Sequence, residues 1–374
     1  MNSNYSFIII CFCLATGFSC QSQPTEIGPV NTKIEYERVV DGLNNPWGMA
    51  FLPGGDILVT EKKGEIKIIR NGKLLDEPID GVPDVYLRGQ GGLMDIELHP
   101  QYDQNGWVYL SYSSSEGSGS GGNTTIARFN FDGKRLTNKE ILYKATPNTT
   151  SSVHFGSRLE FDRDGYLFFS IGDRGNRDVN PQDITRDNGK IYRILDDGSI
   201  PEDNPFINKS GAKHAIYSYG HRNTQGLAME PSTGKIWSHE HGPRGGDEVN
   251  LIQPGRNYGW PIISHGINYD GTVFAEATAK EGMEQPVIYW VPSIAPCGMT
   301  FVSGNKYPGC DGDIIIGSLK FGYLIHATVE GNKIISQEKI AEGIGRVRNV
   351  EQGPDGYLYV GVEGKGIYKL IMIQ

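Results

Sequence analysis

The chain has 374 residues, including 50 glycines and 20 prolines, and its formal net charge is −9. The glycines follow no fixed period, which excludes a collagen-like protein, and the hydrophobic and aromatic fractions of 38% and 10% exclude a disordered chain. The net negative charge argues against nucleic acid as a partner.

The N-terminus is predicted to be a targeting segment. Residues 7–18 carry no charge and are too few to span a bilayer, which is typical of the apolar part of a signal peptide. Cys20 stands at the expected cleavage point, where a bacterial lipoprotein carries its lipid, so lipidation and simple removal of Cys20 are both open. We expect a leader over residues 1–20, a polar tether over 21–32 and a folded domain over 33–374, exported to the periplasm or anchored to a membrane by lipid.

A turn signal then recurs six times along the chain. Each copy combines Pro, Asp or Asn with glycine and precedes a run of β-branched and aromatic residues, and glycine supplies the positive φ that such turns need. The copies begin at Pro53, Pro100, Asp162, Pro231, Pro308 and Pro354. No long amphipathic helix pattern separates them, so the sequence predicts an all-β fold, a six-bladed β-propeller.

The spacing of the copies is uneven. It ranges from 46 residues, between Pro308 and Pro354, to 77 residues, between Pro231 and Pro308, which predicts inserted loops in some blades. Residues 33–40 are expected to add a strand to the last blade and close the ring.

Polar side chains stand between the turn signals at similar places in different blades. Taken singly, a histidine beside a phenylalanine is usually structural, and an Arg-x-Arg pair on a strand is usually solvated. In R-V-R, however, the alternation of a strand points both arginines to one side. The set comprises Gln90, His154, Arg158, Arg222, Asn223, Lys320, Arg346 and Arg348.

The loop segment richest in charged, amide and histidine side chains covers residues 218–261. It contains in succession G-H-R-N, H-E-H-G-P-R-G-G-D-E-V-N and N-Y-G-W-P. Cations, amides and backbone carbonyls this dense suit a bound polyanion together with a hard metal ion. That combination indicates a redox cofactor that carries carboxylates.

These motifs, together with N-P-W-G-M-A-F-L-P, G-Q-G-G-L, H-F-G-S-R, I-G-D-R-G and R-V-R, resemble the glucose/sorbosone dehydrogenase family of soluble quinoproteins, and within it the aldose sugar dehydrogenases. The resemblance runs from about residue 39 to residue 370. It implies a six-bladed propeller that holds pyrroloquinoline quinone (PQQ) and calcium, oxidises aldose sugars at C1 to lactones, and passes electrons to an external acceptor.

The resemblance also implies roles for individual residues. His154 would be the general base that takes the C1 hydroxyl proton, and Arg222 would stabilise charge on the quinone oxygens. The cofactor-binding residues would be Gln90, Arg158, Asn223, Lys320, Arg346 and Arg348, with Lys320 and the last two arginines on the PQQ carboxylates. The calcium ligands would be Gly242 and Pro243 through their carbonyls at the cofactor, and Glu248 and main-chain Tyr258 at a second ion.

Several positions depart from the family pattern or stay open. Val153 stands where some members carry an aspartate that orients the base, so the orientation of His154 must come from elsewhere. Arg174 stands where the glucose-preferring branch tends to have an amide, so glucose is not assumed as substrate. Trp290 is either a stacking wall of the site or blade core, and Cys297 and Cys310 are either bridged or two unpaired buried residues.

Two other functional classes compete with a dehydrogenase. A calcium-dependent propeller lactonase would place acidic and amide side chains directly on its metal, whereas this set is rich in arginine and lysine. A cofactor-free propeller that binds a carbohydrate would not need a histidine and several cations that converge.

Overall fold

The computed structural model describes Gly28 and residues 33–373. The predicted leader lies outside these residues, and so does the tether apart from Gly28. Within the described part of the chain, no helix is long and apolar enough to cross a membrane.

The described chain consists of 24 strands and one short helix. In chain order they are β1 (Ile34–Asp41), β2 (Pro46–Phe51), β3 (Ile57–Glu61), β4 (Glu65–Arg70), β5 (Lys73–Leu74), β6 (Leu93–Leu98), α1 (Tyr102–Asn105), β7 (Trp107–Ser114) and β8 (Asn123–Phe131). These are followed by β9 (Leu136–Lys144), β10 (Leu159–Phe161), β11 (Leu167–Ile171), β12 (Lys190–Ile194), β13 (Ile216–Tyr219), β14 (Thr224–Met229), β15 (Ile236–Glu240) and β16 (Asp247–Leu251). The last eight are β17 (Ile288–Trp290), β18 (Pro296–Phe301), β19 (Ile314–Ser318), β20 (Leu324–Glu330), β21 (Lys333–Ile340), β22 (Val347–Gln352), β23 (Leu358–Val362) and β24 (Gly366–Met372).

The strands form six four-stranded antiparallel sheets, so the predicted all-β six-bladed propeller is confirmed. Blades 1 to 5 each use four consecutive strands, β2–β5, β6–β9, β10–β13, β14–β17 and β18–β21. Blade 6 takes β22, β23 and β24 from the C-terminal part of the chain and β1 from the N-terminal part. The predicted closing strand is therefore also confirmed: β1 pairs with β24 from Ile34 opposite Met372 to Asp41 opposite Gly366.

Each of the six turn signals occupies the same place in its blade. It joins the innermost strand to the second strand, ahead of β3, β7, β11, β15, β19 and β23. The glycine of each turn has a positive φ, for example 83° at Gly165 and 82° at Gly356. The repeat was readable because this backbone conformation is costly for any residue with a Cβ atom.

The apolar core is divided among the contacts between neighbouring blades. Trp237 and Trp290 of blade 4, for example, pack with Met299, Ile316 and Ile325 of blade 5, and all are buried. Burial of one large apolar side chain contributes about 1.5–3 kcal/mol, so every contact between blades adds to the stability of the ring. Trp290 is therefore blade core, and its indole N–H donates to the Gln337 side chain at 2.8 Å.

The uneven spacing of the turns has a structural cause. The chain leaves the sheet for residues 252–287 between β16 and β17, and for residues 172–189 between β11 and β12. Residues 172–189 connect β11 to β12 at the site end of blade 3 and include Asp173. Residues 252–287 leave β16 at its far end, but their middle part brings Tyr258 and Trp260 to the site described next.

Candidate active site

A cavity of about 380 Å³ lies at one end of the propeller axis and is lined by all six blades. Its residues stand where innermost strands begin or second strands end, because these two ends meet in an antiparallel sheet. The predicted residues Gln90, Asn223, Arg346 and Arg348 all line it. The remaining lining residues are Asn45, Trp47, Lys62, Met94, Phe155, Gly156, Gln225, His241, Ala295, Leu319 and Glu363.

Arg346 and Arg348 point to the same side, as the R-V-R alternation predicts, and both reach Glu363. The Arg346 Nε lies 2.5 Å from Glu363 Oε2, and the Arg348 Nε lies 2.8 Å from Glu363 Oε1. Burial raises the pKa of Glu363, but the two arginines lower it overall, so the carboxyl is ionised. The two arginine side chains differ in exposure, 51% for Arg346 and 13% for Arg348.

His154 lies beside this cavity and is oriented by Asp173. The His154 backbone N–H donates to the Gln90 side chain at 2.7 Å, and its Nδ1 lies 2.6 Å from Asp173 Oδ1. Asp173 Oδ2 accepts the indole N–H of Trp260 at 2.8 Å, so the carboxylate is itself held in place. Asp173 therefore provides the orientation that Val153 cannot, and it leaves Nε2 of His154 as the proton acceptor.

Two glycines allow the loops of His154 and Asp173 to approach this closely. A Cβ at Gly172 would lie 2.3 Å from the carbonyl oxygen of His154, and one at Gly156 would lie 2.7 Å from the backbone nitrogen of Gly172. Both contacts are with backbone atoms, so neither loop could accept a side chain there without moving. The glycines of H-F-G-S-R and I-G-D-R-G are thus part of the geometry of the His154–Asp173 pair.

Burial and the neighbouring charges keep His154 neutral and Asp173 ionised, which are the protonation states that a general base requires. Burial lowers the pKa of His154 below its ordinary value, and the opposing effect of Asp173 is smaller. Burial raises the pKa of Asp173, but the bond to His154 and the nearby Arg222 lower it overall. At neutral pH the pair is a neutral imidazole next to a carboxylate.

Arg174 supports the loop that carries His154. Its guanidinium donates to the carbonyls of Val153 and Ser151 and stacks 3.4 Å from the ring centre of Phe155. Its side chain is buried, and burial lowers its pKa to about 10.

Arg222 lies between the main cavity and a second, far smaller one. It donates to the carbonyl of His241, which lines both cavities, at 3.1 Å, and it lies over the ring of Trp260 at 5.3 Å. Burial lowers the pKa of His241 to about 3, so this histidine is neutral.

The smaller cavity contains the side chains and backbone expected of a cation site. It is lined by Glu240, Gly242, Glu248 and Tyr258, among others. Glu240 and Glu248 lie directly opposite each other on β15 and β16, where two charged carboxylates would repel each other unless a cation lay between them, and Glu240 Oε1 also lies 2.9 Å from His221 Nδ1. Burial and Glu240 raise the pKa of Glu248 to about 8. Carboxylates and carbonyls are the ligands that calcium prefers.

Asp247, unlike Glu240 and Glu248, has a carboxylate that is fully occupied by hydrogen bonds to the surrounding loops. One carboxylate oxygen accepts the Gly242 N–H at 2.8 Å, and the other accepts the Ser293 hydroxyl at 2.6 Å and the Ala295 N–H at 2.8 Å. Asp247 therefore holds the H-G-P loop in shape.

Two predicted cofactor residues do not line the cavity. Arg158 is buried beneath it, where its guanidinium pairs with Asp95 at 2.9 Å, donates to the carbonyl of Arg348 at 2.9 Å and stacks on Trp47 at 4.2 Å. Lys320 is exposed and follows Leu319, which lines the cavity. Lys62, which sequence reasoning missed, is the lysine that lines the cavity.

The two cysteines of the folded domain are not bridged. Cys297 lies under the cavity, with Sγ 3.0 Å from the carbonyl oxygen of Arg348. Cys310 lies in blade 5 near Asp313 and His326.

Sequence reasoning also missed Asp173, Glu240 and Glu363. Asp173 and Glu240 lie inside motifs that were already selected, I-G-D-R-G and H-E-H-G-P, so the motifs contained the signal. Glu363 has a weaker sequence signal, a carboxylate in the turn between β23 and β24.

Comparison with known proteins supports one family. The glucose/sorbosone dehydrogenase model matches residues 43–370. The chain is 42% identical over 346 residues to the aldose sugar dehydrogenase YliI of Escherichia coli (strain K12), which covers 91% of this chain and 92% of that protein.

Solved structures agree. The soluble aldose sugar dehydrogenase from Escherichia coli, in its apo-form, superposes with a TM-score of 0.87 at 40% identity, covering 90% of this chain and 99% of the other. The PQQ-bound aldose sugar dehydrogenase from Streptomyces coelicolor superposes with a TM-score of 0.75 at 28% identity, covering 91% and 99%. Because the family model spans most of the sequence and a relative aligns over nearly its full length, the protein belongs to the glucose/sorbosone dehydrogenase family, as its motifs predict.

Proposed function

We propose that this protein is a PQQ- and calcium-dependent dehydrogenase that oxidises aldose sugars at C1 to lactones and passes the electrons to an external acceptor. The observation that carries the proposal is the His154–Asp173 pair, which presents a neutral imidazole beside a cavity lined by cations. The named activity of the Escherichia coli relative and the PQQ-bound Streptomyces structure support it.

The main cavity suits an aromatic cofactor with carboxylates. Its volume of about 380 Å³ falls within the range of small-molecule sites. Arg346, Arg348 and Lys62 supply positive charge, and Gln90 and Asn223 supply amide donors and acceptors. Arginine forks match carboxylates in geometry as well as in charge. A lactonase would instead need acidic side chains on a metal in this cavity. Among the described residues one carboxylate, Glu363, lines the cavity, and it is already paired with two arginines.

The chain's own residues then account for the proton transfer. Asp173 accepts the Nδ1–H of His154, which leaves Nε2 free to take the proton of a sugar hydroxyl. Arg222, placed next to His241 and Trp260, contributes positive charge where negative charge would develop. When bound, PQQ supplies a quinone that accepts the hydride from C1, and calcium supplies a Lewis acid beside it.

Two places would hold calcium. The carbonyls of Gly242 and Pro243 accept no hydrogen bond from the described backbone, which leaves them available to an ion at the cofactor. Glu248 and the main-chain carbonyl of Tyr258 would hold the second ion, and we add Glu240 to this set because it faces Glu248 across the strand pair.

We predict that purified protein is inactive until both PQQ and calcium are supplied, and that it then reduces an artificial acceptor with aldoses. Visible absorbance spectra recorded while PQQ and calcium are added measure binding, and dye reduction measures turnover. Activity that survives chelation and omission of PQQ would contradict the proposal. Lactone hydrolysis with calcium alone would indicate a lactonase, and sugar binding without any spectral change would indicate a cofactor-free binding module.

We also propose that the protein is exported, because residues 7–18 and Cys20 have the pattern of a leader. Mass spectrometry of the mature N-terminus is expected to find either a lipid-modified Cys20 or a free N-terminus beyond it. The first result shows a lipid anchor and the second a soluble exported protein. Recovery of an intact Met1 on cytoplasmic protein would contradict export.

A further inference from the structure

We infer that blade 5 contains a binding site for a thiophilic divalent cation, best matched by Zn²⁺, formed by Cys310, Asp313 and His326. One ligand atom from each residue lies within 4.8 Å of the others, and all three side chains are buried. Thiolate, imidazole and carboxylate together form a ligand set typical of zinc and poorly suited to calcium.

A short turn brings Cys310 and Asp313 together. The Asp313 N–H donates to the Cys310 carbonyl at 3.0 Å, and Gly312 between them has a φ of 87°. This C-x-x-D spacing places both side chains at the start of β19. His326 comes from the neighbouring strand β20, so the site joins a turn to a strand.

The hydrogen bonds of His326 point to a cation at its Nε2. Its Nδ1 lies 2.8 Å from Glu338 Oε1, and its Nε2 lies 2.7 Å from Asp313 Oδ2. A neutral imidazole donates through one nitrogen only, so one of these two contacts needs an added positive charge. With Nδ1–H donating to Glu338, the charge belongs between Nε2 and Asp313, which is also the side of Cys310.

Either a proton or a metal ion can supply that charge. Burial lowers the pKa of His326, but its bonds to Asp313, Cys310 and Glu338 raise it to about 10, so a proton is available. A proton gives no reason for a buried thiol at the same place. A zinc ion would be bound by that thiol as a thiolate, and its two positive charges would balance the thiolate and the Asp313 carboxylate. Glu338 would then be the carboxylate that orients a metal-bound histidine.

Zinc binding requires a small adjustment. Tetrahedral ligands at zinc are roughly 3.3–3.7 Å apart, so Nε2 and Oδ2 would separate by roughly 1 Å from their present hydrogen bond. Three protein ligands leave the fourth position to water. The site and cavity-lining Leu319 lie at opposite ends of strand β19, roughly 20 Å apart, so its role would be to stabilise blade 5.

The test uses the purified full chain, stripped with a chelator and restored with calcium. Zn²⁺ is added in excess, unbound ions are removed by gel filtration, and the bound metal is counted by mass spectrometry. We expect about one zinc per chain and a higher midpoint of thermal unfolding. Co²⁺ in place of Zn²⁺ should produce a thiolate-to-metal charge-transfer band in the near ultraviolet, which a calcium site cannot produce.

Three variants distinguish metal binding at Cys310, Asp313 and His326 from metal binding elsewhere on the chain. Cys310→Ser should abolish the cobalt band, whereas Cys297→Ser, the matched control at the other buried cysteine, should keep it. The Glu338→Gln variant should still bind zinc, but with an affinity about 10- to 100-fold lower than that of the native chain. This second variant keeps the test decisive if the Cys310→Ser protein does not fold. Failure of the native chain to retain zinc, or a cobalt band that persists in Cys310→Ser, would overturn the proposal and leave a protonated His326 between two carboxylates.

Discussion

Replacing His154 by glutamine should lower kcat by about 10²–10⁴ and leave PQQ affinity nearly unchanged, because general-base catalysis contributes about that much. The imidazole lies beside the cavity, while the groups suited to the PQQ carboxylates are on blade 6 and on Lys62. Stopped-flow reduction of PQQ-loaded enzyme by sugar isolates the step, and PQQ titration measures affinity. If the variant's PQQ is reduced by sugar at the native rate, His154 is not the general base. His241, which lines the main cavity, would then be the next candidate.

The companion variant Asp173→Asn tests how the base is positioned. It should lower kcat less than the loss of His154 itself, since the imidazole remains but its tautomer is no longer controlled. The native pKa of His154 is already below its ordinary value, so activity should persist below pH 6.5 and fall as His154 becomes protonated. Asp173 raises that pKa, so its neutralisation should move this fall to still lower pH. A purely structural role for Asp173 would change stability without moving the pH profile.

Replacing Arg348 by alanine should weaken PQQ binding by about 2–5 kcal/mol, or roughly 30- to 5,000-fold in Kd, if a cofactor carboxylate is left buried and unpaired. Arg348 is 13% exposed and lines the cavity. Fluorescence or absorbance titration of the apoprotein with PQQ measures the change. The rate of reduction of fully loaded enzyme should fall far less than in His154→Gln, because Arg348 has no contact with the imidazole among the described residues.

Arg346→Ala is the matched control on the same chain segment. Both arginines pair with Glu363, but the Arg346 side chain is 51% exposed. Its removal should therefore reduce the binding free energy of PQQ by at most about 1 kcal/mol. Arg348→Lys, which keeps the charge but not the fork, should fall between them. Circular dichroism and urea unfolding of each apoprotein show whether loss of the Glu363 pairing has disturbed blade 6. Equal losses of affinity in both alanine variants would contradict this ranking.

Much of the fold was accessible from local sequence signals. The six Pro/Asp/Gly turns predicted six blades because a positive φ is a property of a single residue, and each of these turns occupies the same hairpin of its blade. The common side of Arg346 and Arg348 followed from strand alternation, which is equally local. The motifs also contained Asp173 and Glu240, although their tasks were not apparent from their neighbours in the chain.

By itself, then, the sequence determined the all-β ring, its number of blades, its family and several of the polar residues at one mouth of the axis. Only the tertiary structure decided what each of those residues contacts. It placed Arg158 under the cavity against the carbonyl of Arg348, 190 positions away, assigned Trp290 to the core and Trp260 to the site, and separated Cys297 from Cys310. The physical reason is that turns and alternation are set by the backbone of a few consecutive residues, whereas charge pairing and burial depend on which blades the closed ring brings together.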